Sequence, residues 1–368
     1  MNRLKTNFLL LSFSVVVTFL ALEAGVRAVT AFDRNYLDEL VNYRSSGEER
    51  DLTLADMIRP VSDDLLVYEL RPGVRGSFLG HDLVINSLGM RDVERLRAKE
   101  EGVFRILSLG DSHAFGWGVA MEETYAAQLE EMLEKEAGGE FEVLNMGVPG
   151  YNTVQEVQAF VRLAGELSPD MVLINYVNND MDLPNFLGSR PNLLTPRKSY
   201  LLELVRRRVA IIRGSRLFPA GLSRVEPDTK SKRYRMPEDR IPERFRPLYG
   251  WENMKEAYRE LGRLARERGI PYVVLFNMDD YSFRLAGKTP TVLPRNVREV
   301  AALCGEEGYL VVDPQDRVAA YLEENGLGTQ AVWITPKDSH TNVLRHRFVA
   351  EELYERLRSA GYLPSHGS

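Results

Sequence analysis

Cysteine is nearly absent from this chain: Cys304 is the only one in 368 residues. A single thiol excludes an internal disulfide and any metal cluster built on cysteines. Cys304 follows Val300-Ala301-Ala302-Leu303, a run that reads as a helix interior, so a small core residue is expected there. Histidine is scarce too, at positions 81, 113, 340, 346 and 366. No His-x-x-x-His pair or carboxylate cluster at ligand spacing occurs, so no metal centre is expected. A Walker A loop and the dinucleotide-binding glycine fingerprint are both missing, so no nucleotide cofactor is expected, and no cofactor of another kind is called for. Excess positive charge is missing as well. Lys and Arg number 47 against 53 Asp and Glu, a net charge of −6, which points away from nucleic acid as a partner.

What is present begins with an apolar run at the amino terminus. Phe8–Leu22 carries no charge before Glu23, and Arg3 and Lys5 precede it. Fifteen helical residues span about 22 Å, and continuing to Val26 nearly reaches the roughly 20 residues that a membrane span needs. Ala21-Leu22-Glu23-Ala24 offers no small-residue cleavage site at the right spacing. Residues 1–27 are therefore expected to be an uncleaved signal anchor. A cleaved signal peptide and a buried soluble helix are the alternatives. Anchor or signal peptide, the basic end stays in the cytoplasm and the body lies outside it, periplasmic or on the cell surface.

The rest of the chain has the composition of a globular protein, 44% hydrophobic and 27% charged overall. Residues 28–100 form a lead-in. Asp33–Asp56 is polar, an irregular or helical stalk. Leu66–Leu70 and Leu83–Asn86 read as short strands, with turn signals at Arg71-Pro72-Gly73 and Asn86-Ser87-Leu88-Gly89.

From residue 101 short apolar runs alternate with amphipathic stretches. Strands are expected at Phe104–Leu109, Phe141–Asn145, Asp170–Val177, Pro271–Phe276 and Tyr309–Val312. Helices are expected at Glu122–Glu136, at Val154–Leu167 with Thr153 as cap, and at Trp251–Arg268, Asn296–Glu307 and Arg345–Ser359. This alternation implies an α/β fold: a three-layer sandwich with a central parallel sheet and helices on both faces. Residues 101–365 are read as that domain, interrupted by an insertion at about 184–250. Between Val205 and Leu248 the insertion holds thirteen basic residues against five acidic ones. A solvated loop is the plain reading. A lid or a surface for anionic headgroups is the functional one, and Val209–Ile212 and Leu217-Phe218 would suit a membrane-facing segment.

The first strand of the domain ends abruptly at Gly110-Asp111-Ser112. Ligands of open α/β sheets bind beyond the carboxyl ends of the strands, so a serine there meets a ligand. Alone, the three residues are only a turn signal. Three more stretches follow in order: Asn145–Tyr151, Val177–Asp180 and Asp338-Ser339-His340. With them, residues 101–362 resemble the SGNH/GDSL hydrolase superfamily, and Asn86–Arg91 resembles the lead-in of its membrane-anchored members.

The resemblance implies a serine esterase. Ester cleavage needs a nucleophile, a base for its proton, and donors for the developing oxyanion. Ser112 is the candidate nucleophile. His366 lies in the tail, His81 in the lead-in, and His346 on the last helix as a packing or surface residue. His113 adjoins the serine and would tend to point elsewhere. His340, just before the last helix, stands where the family has its base. The resemblance also gives the oxyanion donors: the Ser112 N–H, the Gly150 N–H, with Gly147 as its neighbour and competitor, and the side-chain amide of Asn179. Val177 departs from the family's usual glycine.

The acid departs more. The family commonly has aspartate three residues before the histidine, where this chain has Lys337. Asp338 stands two before His340, and in an extended segment residues two apart point to the same side. Asp338 is therefore the expected acid and Asp313 the fallback. Asp111 and Asp180 are expected to be structural acceptors. Taken together, the expectation is a Ser-His-Asp esterase of the cell envelope acting on an acyl ester, an acylated glycan or a lipid. An O-acyltransferase using the same residues and a non-catalytic scaffold of the same fold are the alternatives.

Overall fold

The computed structural model describes residues 3–32, 52, 54–188, 199–212, 222–224, 238, 241–277, 295–336 and 338–364. Five strands form one parallel sheet: β1 (Val103–Gly110), β2 (Glu140–Gly147), β3 (Met171–Tyr176), β4 (Tyr272–Phe276) and β5 (Leu310–Val312). Their order across the sheet is β5-β4-β3-β1-β2. The strand order reverses beside β1, which pairs with β2 on one side and β3 on the other. Such a reversal opens a crevice at the carboxyl ends of the strands.

Alternate residues along each strand supply opposite faces. Leu107, Leu144, Val172, Ile174 and Val274 pack into one core with α4 (Thr153–Leu167), α6 (Trp251–Arg268) and α7 (Arg295–Glu307). Ile106, Val143, Leu173, Val273 and Leu275 pack into the other with α3 (Tyr125–Met132) and α9 (Val343–Ser359). The central strand β3 is buried at all of its positions, which is why Met171–Ile174 reads as a continuous apolar run. Cys304 lies buried in the first core, inside α7 as expected. That core also takes in the lead-in, through Met57, Ile58, Leu66, Tyr68, Ile85 and Met90.

Three details differ from expectation. The expected helix 122–136 is a 3₁₀ turn at Met121–Glu123, then α3 capped by Thr124, then a wide turn over Leu133–Ala137. Helix α4 is capped by Asn152, whose side chain accepts from the Gln155 N–H at 3.2 Å; Thr153 is the first helical residue. A helix α8 (Gln315–Glu324) and an antiparallel hairpin, β6 (Trp333–Thr335) with β7 (Asp338–Thr341), follow β5. Val318 and Leu322 of α8 pack with Val332 and Phe348, which seats the hairpin against α9.

At the amino terminus α1 (Arg3–Phe32) is one continuous helix, and Lys5–Val29 within it is long and apolar enough to cross a membrane. Within the insertion, Phe186–Gly188 pairs with Leu222–Arg224, and Tyr200–Ile212 forms helix α5. Most of the basic run, including Arg213, Arg216, Lys230, Lys232, Arg233, Arg235 and Arg240, lies outside the described residues, as do Lys337 and most of the stalk Asp33–Asp56.

Candidate active site

Strand β1 ends at Gly110, and Ser112 opens the single-turn helix α2 (Ser112–Phe115). Asp111 caps that turn, its carboxylate accepting from the His113 N–H at 2.8 Å. Gly147, at the end of β2, lies directly against this turn. A Cβ there would stand 2.2 Å from the Phe115 nitrogen, so only glycine lets the two loops touch. Its role is therefore close packing.

Ser112 and His340 are 228 residues apart, yet the Ser112 Oγ lies 2.9 Å from His340 Nε2. On the other side of the ring, His340 Nδ1 lies 2.5 Å from Asp338 Oδ1. That same oxygen accepts from the His340 backbone N–H at 3.1 Å. The extended backbone of β7 is what allows this, because residues two apart project on one side. The hydrogen bond from His340 holds the Asp338 carboxyl down at about 2, against the opposing effect of desolvation. The fallback acid goes elsewhere: Asp313 Oδ1 accepts from the Gln315 N–H at 3.0 Å, at the start of α8.

Two aromatic rings flank the imidazole. Trp117 stacks on His340 with centroids 5.1 Å apart, and its indole N–H donates to Asp338 Oδ2 at 3.3 Å. The His113 ring stands 5.0 Å from His340 and shares a hydrogen bond of 2.8 Å with the Thr341 hydroxyl. The sequence left His113 without a role; it braces the strand that carries His340. His346 is buried, accepts from the Tyr125 N–H at 3.1 Å, and is pushed well below the usual histidine range by desolvation. It is a packing residue, as expected.

Gly150 and Asn179 lie in the loops that follow β2 and β3, the two neighbours of β1. The three loops are tied together: the Val148 N–H donates to the Gly110 carbonyl at 2.9 Å, and the Asn185 N–H, in the loop after β3, donates to the Gly150 carbonyl at 3.0 Å. Gly150 has φ = +81°, and a Cβ there would meet Asn185 at 2.5 Å. Asp180 fixes the turn that carries Asn179, accepting from the Val177 N–H at 3.2 Å and the Thr153 hydroxyl at 3.1 Å. Among the described residues no hydrogen bond joins Ser112 to Gly150 or Asn179, so these two enter by the position of their loops. Behind the loops, burial and then repulsion from Asp180 and Asp111 push the Glu156 carboxyl well above the usual range. Burial and the nearby Asp111 do the same to Asp180.

Residues 108–333, more than half of the chain, match the GDSL-like lipase/acylhydrolase family. The chain belongs to that family. As a GDSL-like lipase/acylhydrolase it is an ester-hydrolysing enzyme. No curated protein sequence matches it. Among solved structures it is similar to an acetyl xylan esterase at 13% identity, with TM-score 0.41, over 68% of this chain and 98% of that one. It is also similar to an acetylxylan esterase from Geobacillus stearothermophilus at 14% identity, with TM-score 0.41, over 71% of this chain and 96% of that one.

The sequence missed two parts of this GDSL-like site. Trp117 carried no signal beyond its place five residues after Ser112. Arg91 was visible only within the lead-in motif. It is 2% exposed and donates to the carbonyls of Phe115 at 3.0 Å, Val119 at 2.6 Å, and Gly116. The loop that leaves Ser112 is therefore held by the lead-in. Asn86 shapes the turn before Arg91 by accepting from the Leu88 and Met90 N–H groups, each at 3.0 Å.

Proposed function

We propose that this chain is a membrane-anchored serine esterase whose body works outside the cytoplasm. The observation that carries the reading is the unbroken hydrogen-bonded series Asp338–His340–Ser112. Ser112 Oγ attacks the ester carbonyl while His340 Nε2 takes its proton. His340 then returns that proton to the leaving alcohol, and the acyl group stays on Ser112. Water activated by the same imidazole releases the acid and restores the serine. Asp338, held anionic, fixes the proton on Nδ1 and so leaves Nε2 free to accept. The Ser112 N–H, the Gly150 N–H and the Asn179 amide receive the oxyanion. The substrate is an acyl ester, an acylated glycan or lipid of the envelope, and no cofactor takes part.

The membrane reading is supported by Arg3 and Lys5 at the start of α1 and by the length of its apolar stretch. The test of the chemistry is a series of esters, from short to long acyl chains, with and without a sugar acceptor. Both free acid and transferred acyl are followed, on the native chain and on Ser112→Ala. Release of free acid that Ser112→Ala abolishes supports the esterase. Acyl transfer to the sugar in place of hydrolysis would make it an acyltransferase. Undiminished turnover in Ser112→Ala would overturn the mechanism. A carboxyl-terminal reporter that is active only outside the cytoplasm tests the location.

A further inference from the structure

Glu23 is a carboxylate inside α1, the helix that is long and apolar enough to cross a membrane, and it is only 7% exposed. Its partners come from the insertion. It accepts from the N–H groups of Tyr200 at 2.9 Å and Leu201 at 2.8 Å, and from the Ser199 hydroxyl at 2.8 Å. The Ser199 hydroxyl in turn accepts from the Leu202 N–H at 3.1 Å. Of the first N–H groups of α5, which no helical carbonyl reaches, two are thus satisfied by α1 and a third by Ser199, itself bonded to α1. A carboxylate at that end also complements the helix dipole. Arg27, one turn on, bonds Glu23 at 2.7 Å and lies over the Tyr200 ring, 5.1 Å from its centroid.

This contact has a defined height. Glu23 stands eighteen residues after Lys5. At about 1.5 Å per residue that is roughly 27 Å, nearly the thickness of the hydrocarbon core. With Lys5 at the inner boundary, Glu23 and the amino terminus of α5 lie at the outer one. Leu202, Val205 and Val209 of α5 follow one another at helical spacing and are 58%, 50% and 38% exposed. Were α5 to run back into the hydrocarbon, Arg206, Arg207 and Arg208 would enter it as well, which is unfavourable. Were it to stand clear of the lipid, the apolar stripe would face water. Lying in the plane of the surface satisfies both sets of residues.

We propose that α5 is a membrane-surface helix, fixed to the anchor by Glu23, with Leu202, Val205 and Val209 set into the outer leaflet. The proposal rests on α1 being an anchor, and the experiment separates the two. The full chain is reconstituted in vesicles of phosphatidylcholine with phosphatidylglycerol. A nitroxide is attached in turn through V16C on α1, V205C on α5 and E260C on α6, the native Cys304 being buried. Collision with oxygen, which concentrates in lipid, is compared with collision with a water-soluble nickel chelate. V16C reports lipid and E260C water, and V205C is expected to show a severalfold higher oxygen preference than E260C. Adding Glu23→Leu is expected to return V205C to the E260C value while V16C stays in lipid. If V16C is in lipid and V205C matches E260C, the proposal is wrong and the anchor stands. A V16C label in water removes both. A V205C label that stays in lipid after Glu23→Leu overturns the attachment through Glu23.

Discussion

The indole N–H of Trp117 and the outer oxygen of Asp338 are joined at 3.3 Å. The carboxylate is thereby held at both oxygens, since Oδ1 already accepts from His340. A carboxylate bound at one oxygen could still rotate. Bound at both, it keeps the imidazole facing Ser112.

Trp117→Phe tests this hold, because it keeps a ring against His340 and removes the donor. A lost hydrogen bond to a charged acceptor is worth about 1 kcal/mol at a half-exposed site, or about fivefold in rate. The loss should fall on kcat, with KM little changed, since the indole acts through the acid. Equal kcat in Trp117→Phe and the native enzyme would show that the stacked ring suffices.

Asp338→Asn should reduce kcat by at least roughly tenfold, about 1.4 kcal/mol of transition-state stabilisation. A comparable change in a serine protease costs about 10⁴ through the wrong tautomer. Asp313→Asn should leave the rate unaltered in folded protein, because its carboxylate serves the start of α8. The reverse ranking, measured at equal folded fraction, would move the acid to Asp313. Ser112→Ala should lose on the order of 10⁶ in kcat and all labelling by an active-site phosphonate.

Arg91→Met should lower both melting temperature and turnover, although Arg91 lies outside the hydrogen-bonded series. It strands the Phe115 and Val119 carbonyls and leaves that of Gly116 with the Val119 N–H alone, and a buried acceptor left unsatisfied costs about 1–3 kcal/mol. Arg91→Lys should fall between, since one ammonium cannot reproduce the spread of a guanidinium. Full activity in Arg91→Met would mean that the loop after Ser112 holds its own shape.

Stability should decline toward alkaline pH, and Glu156 should account for part of the decline. Its carboxyl lies well above the ordinary range in the folded chain. Such a group contributes stability that is complete below its unfolded value, about 4.3. That contribution is lost as pH rises through the folded value. Thermal melts across pH should therefore flatten on the alkaline side in Glu156→Gln. Asp338 acts in the opposite sense, its stabilisation fading as pH falls through about 2. A Glu156→Gln variant that melts with the native pH profile would exclude Glu156 as the source.

The parts of the fold and site that were legible in the sequence are those governed by short periods. The apolar runs of β1 and β3, the helix Trp251–Arg268 and the two-residue step from Asp338 to His340 each carry their own signal. What escaped depends on partners far along the chain. Arg91 is only the end of a lead-in motif until the loop beyond Ser112 lies against it. Trp117 carries no signal until β7 brings Asp338 to its nitrogen. The break at Thr124 escaped because the apolar spacing from Met121 to Tyr125 is already helical. The Asn152 cap escaped because Thr153, beside it, is also a residue that caps helices.

The distances in sequence between the braces carry a consequence for the order of events during synthesis. The Tyr68 hydroxyl bonds the Pro149 carbonyl 81 residues later, at 3.1 Å, and Gln155 reaches back 89 residues to the Leu66 carbonyl, at 2.6 Å. A chain delivered amino-terminal end first exposes Tyr68 and Arg91 well before the carbonyls that receive them. The lead-in must wait unpaired until β2 and the start of α4 arrive. The hydroxyl of Ser112 waits for an imidazole 228 residues behind it, as His113 waits the same distance for Thr341. A nascent chain therefore holds an inert serine, and the site is assembled only when the last helices are delivered.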